Sequence, residues 1–355
     1  MTMNTFDDKL DTPIPKVLSE TYKLEEILFF DIETTGFSSK NSQLYLIGCL
    51  YFKDNIPCIR QFFANHMGEE TEILTAFFDF SKSFHTLIHF NGNGFDIPYL
   101  LGKCNFFEID EEFSNFLECD IYKLITPYKK LFGLPNLKQK TIEEFSSIHR
   151  KDKYNGGELI PIYNSYAKNP SQDLLEILLL HNHEDLEGML KLSSLLSLKY
   201  FNAEKIQYQS LKGNDDSITF FLKYVYPLPF SFDYQCNFFS AHSKEQELYI
   251  TVPIFSGTLK YFYPDYKNYY YLPLEDMAIH KSVAEYMDKD CRQKAKASNC
   301  YSKKEGCFLM QPYEILSPAF RQEYKDKVCY FSLEELKCTD TSLLCKYIFS
   351  MLLMH

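Results

Sequence analysis

Three apolar runs near the start of the chain constrain its fold more than any other feature. EILFFDIE (26–33), LYLIGCLYF (44–52) and CIRQFFA (58–64) read as consecutive strands, with Pro57 at the entry to the third and joining residues suited to tight antiparallel turns. Residues 69–84 then place Ile73, Leu74, Phe77 and Phe78 on one side of a predicted helix. TLIHF (86–90) reads as a fourth strand, and NGNGF after it marks a sharp turn. From 96 to about 200 the pattern is mainly helical, with breaks at Pro127, Gly133-Leu134-Pro135, Gly156-Gly157 and Pro170. A strand meander, a helix, a further strand and then helices specify a layered α/β domain.

The rest of the chain divides around this domain. Residues 1–24, with Pro13 and Pro15, read as an N-terminal arm. QSLKGNDDS (209–217) is polar and reads as a linker, which places a boundary near 205. Beyond it ELYITVPIF (247–255), TLKYFY (258–263) and NYYYLPL (268–274) read as short aromatic strands, LEDMAIHKSVAEYMDK (274–289) as a helix, and SLLCKYIFSMLLMH as a packed C-terminal helix too short to span a bilayer. The predicted organisation is an arm over 1–24, an α/β domain over 25–204 and a β-rich α+β region over 205–355. No internal repeat is visible.

The chemistry-bearing residues lie in the first two hundred positions. Asp31 and Glu33 are two apart at the end of an apolar strand, so they share a face. Two carboxylates crowded there are costly to ionise together, and a divalent cation between them removes the penalty. A solvated strand end carrying two acids is the plainer reading. Asp96 leaves the glycine-rich turn beside a neighbouring strand's end, or serves as a helix N-cap before Ile97-Pro98. His181 and Asp185 are four apart in EILLLHNHEDLEGMLKLSSLL and share one helix face, either as a surface pair or as part of a site, whereas His183 faces elsewhere. Together the four acids and one histidine form the inventory that two-metal phosphodiester hydrolysis needs. Oxygen ligands with open positions suit Mg²⁺ or Mn²⁺ over zinc.

Charge and cysteine content bear on this reading. The net charge of the 355 residues is −11, of which −10 falls in residues 1–200 and −1 in 201–355. That excludes a generic nucleic-acid binder relying on a uniformly basic surface, but not a nuclease, whose carboxylate cluster is itself acidic. Eleven cysteines without a CxxC fit a reducing cytosol, and Cys291, Cys300 and Cys307 are spaced too loosely for a zinc site. The first residues, MTMNTFDDKLDTPIPK, lack the apolar core of a signal peptide. A cytoplasmic chain with no membrane span is therefore expected.

Three segments carry a resemblance. Asp31-Ile32-Glu33-Thr34-Thr35-Gly36 resembles the first exonuclease motif of the DnaQ-like, DEDD superfamily, Asn91 to Pro98 its second, and His181-Asn182-His183-Glu184-Asp185 its third. The chain is similar above all to the YprB-like, predicted ribonuclease H-like exonuclease family, which LYLIGCLYF, Cys119-Asp120-Ile121-Tyr122 and Gly156 to Tyr163 also match. The resemblance implies a ribonuclease H-like fold, a mixed sheet flanked by helices, over roughly 25–200. It implies a 3′→5′ exonuclease using two Mg²⁺ or Mn²⁺ ions. Asp31, Glu33 and Asp185 would hold one ion, with Asp31 and Asp96 reaching the second. His181 would orient or deprotonate the attacking water, and Thr34, Thr35, Asn91 and Phe95 would contact a nucleic acid, as a single strand or 3′ terminus. One departure stands out. The His-type branch has its histidine five residues before the aspartate, where this chain has Leu180, and the Tyr-type branch has its tyrosine four before, where this chain has His181.

Two basic stretches flank these motifs. Lys129, Lys130, Lys138, Lys140, Arg150 and Lys151 follow the second motif and would flank the cleft. Lys281, Lys289, Arg292, Lys294, Lys296, Lys303 and Lys304 lie beside Tyr-rich strands, where they would track a phosphate backbone or form a solvated surface. Three functions remain open at this point: an active exonuclease, a nucleic-acid-binding module with a decayed site, and a protein-interaction module on a nuclease scaffold.

Overall fold

The computed structural model describes residues 3–354. The chain forms two compact units, one comprising residues up to 129 with 134–199 and 228–230, the other 130–133, 200–227 and 231–355.

The first unit is built on a six-stranded sheet. Its strands are β1 (Asn4–Lys9), β2 (Ile27–Thr34), β3 (Leu44–Lys53), β4 (Ile56–Phe63), β5 (Thr86–His89) and β6 (Leu117–Asp120), in the order β1-β4-β3-β2-β5-β6. The meander β4-β3-β2 and the β1 edge are antiparallel, and β5 and β6 add in parallel. The helices are α1 (Lys16–Thr21), α2 (Glu70–Ser81), α3 (Asp96–Phe106), α4 (Ile121–Ile125), α5 (Gln139–Phe145), α6 (Gly156–Lys168) and α7 (Gln172–Leu192). α2 packs on β3 and β4, α7 crosses β2, β3 and β4, and α6 packs on α7. Residues 44–50 are all buried, which is why that run lacks the alternation of a one-sided strand.

Gly48 lets α7 come close. Asp31, Gly48 and Gln61 lie opposite one another across β2, β3 and β4. A Cβ at Gly48 would sit 1.9 Å from Asn182 Oδ1, so only glycine admits the Asn182 amide to this row.

Two differences from the sequence reading fall in this unit. The arm carries β1, six residues in register with β4, and the mainly helical stretch after 96 contains β6. Both are short strands at the sheet edges, and β1 is largely exposed, so neither has an apolar signature.

The second unit is mostly antiparallel sheet: β7 (Gln207–Gly213), β8 (Ser217–Lys223), β9 (Phe232–Gln235), β10 (Ser240–Lys244), β11 (Glu247–Phe262), β12 (Tyr269–Leu272), β13 (Met277–His280), β14 (Gln293–Lys294), β15 (Tyr301–Gln311) and β16 (Cys329–Ser332), with α8 (Lys281–Ala284) and α9 (Thr341–Leu352). β11 organises it, pairing with β8 and β10 through its first half and with β15 through its second. Tyr347 of α9 is buried and donates to Met310 O at 2.9 Å.

Three readings are corrected here. The polar segment 209–217 is no linker: most of it is β7, paired with β8, and its polarity is that of an exposed edge strand. The two aromatic runs at 247–263 form one continuous strand, β11. The helix expected over 274–289 shrinks to α8, because Met277–His280 pair with β12 as β13. Asp276 holds the turn before β13 through hydrogen bonds from the Tyr271 and Tyr301 hydroxyls. Among the described residues all eleven cysteines are free, and no helix is long and apolar enough to cross a membrane.

Candidate active site

Three parts of the first unit deliver the candidate site residues: β2, the start of α3 after the β5 turn, and α7. β2 presents Asp31 and Glu33 where its pairing with β3 ends in an irregularity at Glu33/Thr34. The turn after β5 delivers Asp96. Asn91 there has φ +59°, its N–H donates to Asp120 Oδ1 at 2.9 Å, and Gly92 N–H donates to His89 Nδ1 at 3.0 Å. A Cβ on Gly92 would lie 2.8 Å from the His89 ring, so the tight turn requires glycine. Asp96 is the first residue of α3 and not its cap: the N-cap position is Phe95, and the Asp96 carboxylate instead accepts the N–H of Ile32 on β2 at 3.3 Å.

α7 supplies the remaining two groups. His181 Nε2 lies 3.3 Å from Asp185 Oδ2, one turn along the helix, and 3.6 Å from Glu33 Oε1. Glu33, His181 and Asp185 each offer a ligand atom within 4.8 Å of the others, and among the described residues this is the one such group of three or more His, Cys, Asp or Glu side chains. Cys291, Cys300 and Cys307 form none. His183 points away and meets Asp8 Oδ2 of β1 at 3.0 Å.

Glu33, His181 and Asp185 line a cleft of about 390 Å³, together with Asp31, Thr34, Phe37, Phe95 and Ile160, whereas Asp96 lies outside that lining. Of the four positions expected to contact substrate, Thr34 and Phe95 line it. Thr35 closes the β2–β3 turn by accepting Gln43 N–H at 2.8 Å, and the Asn91 N–H is engaged by Asp120.

Several contributors have partners that the linear pattern does not reveal. Asn182 is fully buried. Its amide donates to Asp31 Oδ2 at 2.9 Å and its oxygen accepts from Gln61 Nε2 at 2.9 Å. Arg150 grips Glu143 with two nitrogens and reaches Asp185 Oδ1 at 2.5 Å. Asp152 Oδ2 lies 2.7 Å from His181 Nδ1 and 2.9 Å from Lys140 Nζ. Two of the basic residues expected to flank the cleft, Lys140 and Arg150, are thus committed to carboxylates. The same holds in the second unit for Lys303 with Asp276 and Lys304 with Glu334.

The electrostatics are those of crowded acids. Desolvation, and then the charges of Asp185 and Asp96, push both Asp31 and Glu33 well above the usual carboxylate range. Desolvation lifts Asp96 to about 7 against hydrogen bonds that oppose the rise. Burial works against the charge of Asp152, but hydrogen bonds from Lys140, Tyr154 N–H and His181 outweigh it and leave that carboxyl below its ordinary value.

A pH dependence follows. Carboxyls that keep their protons more firmly in the fold than in the unfolded chain stabilise the fold at low pH, and that contribution is lost as pH rises through the folded value. For Asp96 the window runs from the ordinary 3.8 to about 7, with Asp31 and Glu33 shifted in the same direction. At about 1.4 kcal/mol per unit, Asp96 alone contributes on the order of 4 kcal/mol across it. The chelator-treated protein should therefore melt at lower temperature at neutral pH than at about pH 5, and Mn²⁺ at neutral pH should raise the Tm. A melting temperature that is level or rising across that window in chelator would contradict the crowding.

Comparison with known proteins places this unit. Residues 28–197 match the family model RNase_H_2, of the RNase_H superfamily. This segment, with its mixed sheet flanked by helices, has a ribonuclease H-like fold, to which β-rich sheets are added in the C-terminal region. Among solved structures the chain is similar to a family B DNA polymerase from the hyperthermophilic archaeon Pyrobaculum calidifontis, at 12% identity over 68% of this chain and 35% of that one, with a TM-score of 0.38. It is also similar to a product-bound exonuclease I, at 10% identity over 56% and 58% with a TM-score of 0.28, and to a zinc-bound E. coli ExoI–ssDNA complex, at 12% over 57% and 55% with a TM-score of 0.28. The chain spans between about a third and three-fifths of the length of these solved structures. No curated protein matches it.

Proposed function

We propose that the ribonuclease H-like domain is the catalytic part of a metal-dependent 3′→5′ exonuclease that hydrolyses phosphodiester bonds of DNA or RNA. The observation that carries this reading is the convergence of Glu33, His181 and Asp185 within 4.8 Å, in a cleft that Asp31 also lines, with the buried carboxyl of Asp96 crowding them from outside its lining. The donor set fits divalent cations. Its carboxylates resist ionising together, and cationic charge among them relieves that resistance. Asp31, Glu33, Asp96 and Asp185 would hold Mg²⁺ or Mn²⁺. Such ions supply stabilisation of the attacking and leaving oxygens in an in-line displacement.

The chain's own groups do the rest. His181 turns Nε2 toward the carboxylates, where it orients or deprotonates the attacking water. Asn182 holds Asp31 in place, and Arg150 holds one oxygen of Asp185 so that the other faces His181. Phe37, 93% exposed at the rim and packed edge-on against Phe95, offers a face for a base at the end of a single strand. The direction of cleavage rests on the resemblance of the three motifs. The same proposal assigns residues 25–204 to catalysis and 205–355 to an accessory role in binding. That role is supported by Tyr270, whose ring has Lys281 and Arg292 at 5.7 and 4.8 Å.

A panel of DNA and RNA oligonucleotides, single- and double-stranded and labelled at either end, tests this in Mg²⁺ and in Mn²⁺. A 5′-labelled strand should shorten progressively from its 3′ end, and chelation should stop it. Cleavage that persists in chelator, or no cleavage of any substrate with either ion, would end the proposal.

A further inference from the structure

We propose that Asp152, on the loop between α5 and α6, is a positioning residue that holds His181 in the tautomer protonated on Nδ1, leaving the Nε2 lone pair facing Glu33 and Asp185. For its effect on rate this rests on the nuclease reading. Its geometric content does not.

The argument starts from what a carboxylate can do. Ionised, it only accepts hydrogen bonds. The Asp152 carboxylate meets two donors and His181: Lys140 Nζ at 2.9 Å on Oδ2, Tyr154 N–H at 3.0 Å on Oδ1, and His181 Nδ1 at 2.7 Å on Oδ2. The hydrogen of a neutral imidazole must then sit on Nδ1, and Nε2 carries the lone pair. Nε2 is the nitrogen turned into the cleft, 3.3 Å from Asp185 and 3.6 Å from Glu33. The opposite tautomer would set a lone pair against the Asp152 carboxylate. It would also put a hydrogen on Nε2, so that His181 itself could not take a proton from water.

The loop is built to hold this contact. The N–H groups of Lys151 and Asp152 donate to the Glu184 carboxylate at 3.0 and 2.8 Å, and Arg150 binds Asp185. Three consecutive loop residues therefore fasten to the same turn of α7. Lys140, from α5, keeps the Asp152 side chain at that spot. The His181 side chain is only 6% exposed and that of Asp152 2%, so water does not compete for the bond. Histidines that work on a reacting group are commonly oriented by such a carboxylate.

The test reads the tautomer directly and at one pH. Long-range ¹H–¹⁵N spectra of histidine-labelled full-length protein, with the His181 signals assigned by their loss in His181→Ala, should show wild-type His181 protonated at Nδ1. Asp152→Asn preserves volume but can present an N–H to the ring, so it should shift His181 toward the Nε2-protonated form. It should also lower kcat roughly 10–100-fold with KM nearly unchanged. Asp152→Glu should restore part of both. A wild-type spectrum with the hydrogen on Nε2 overturns the proposal, as does an Asp152→Asn protein with unchanged tautomer and kcat. If the wild type hydrolyses no oligonucleotide, the nuclease reading falls, while the spectra of wild type and Asp152→Asn still decide the positioning role.

Discussion

Asp31→Asn should abolish turnover and at the same time make the metal-free protein more stable. The two effects have one cause. Burial, and then the neighbouring charges of Asp185, Asp96 and Glu33, raise the pKa of Asp31 well above the usual range. Replacing it by Asn removes a charge that the metal-free fold struggles to hold, yet leaves an oxygen to accept the Asn182 amide bond seen at 2.9 Å. The proposed metal site loses a ligand, so the rate should fall on the order of 10³-fold or more. The Tm in chelator at neutral pH should rise, the sign expected where a site trades stability for function. Asp185→Ala should be as inactive but should not gain as much stability. It leaves Arg150 paired only with Glu143, so a cation loses one of its two partners. Turnover and melting are measured on the same samples, stripped with chelator and restored with Mg²⁺. Wild-type turnover by either restored variant would rule out the site.

His181→Ala should lower the rate by about 10²–10⁴-fold, the usual cost of losing a general base. Its effect on the affinity for a labelled strand in Ca²⁺ should be far smaller. His183→Ala should be mild, because that ring points to Asp8 on β1 and away from the acids. His181→Tyr separates two roles. A phenol at this position should keep partial activity if the group holds water by hydrogen bonding, and should need higher pH if the group must take a proton. If His181 only packs and pairs with Asp152 and Asp185, both variants should melt earlier and keep the wild-type rate per folded molecule. A His183→Ala protein more impaired than His181→Ala would show that the wrong histidine has been assigned.

The features legible in the sequence are those set by short-range geometry. β2, β3 and β4 could be read because burial on both faces demands unbroken apolar runs, and 44–50 are all buried. The period of a strand puts Asp31 and Glu33 on one face, and the period of a helix puts His181 and Asp185 on one face, whatever surrounds them. Both pairs lie in the cleft. Where local pattern and long-range pairing disagreed, pairing prevailed. Residues 277–280 have helical neighbours in the sequence but register with β12, and the polar residues 207–213 find their hydrogen bonds along the edge of β8.

The chain alone thus determined the apolar strands, the long helix and the order in which five site residues are presented, because each depends on spacing within one element. Only the tertiary structure decided what holds those residues. Asn182 meets Asp31 across 151 positions because Gly48 leaves room for it, Arg150 meets Asp185 across 35, and Asp152 meets His181 across 29. In sequence Arg150 is one member of a basic stretch and Asp152 an ordinary member of a charged loop. They become part of a site when the backbone of 151–152 docks on Glu184 and carries both side chains out of water, where a single hydrogen bond to a charged group settles which nitrogen of a histidine keeps its proton.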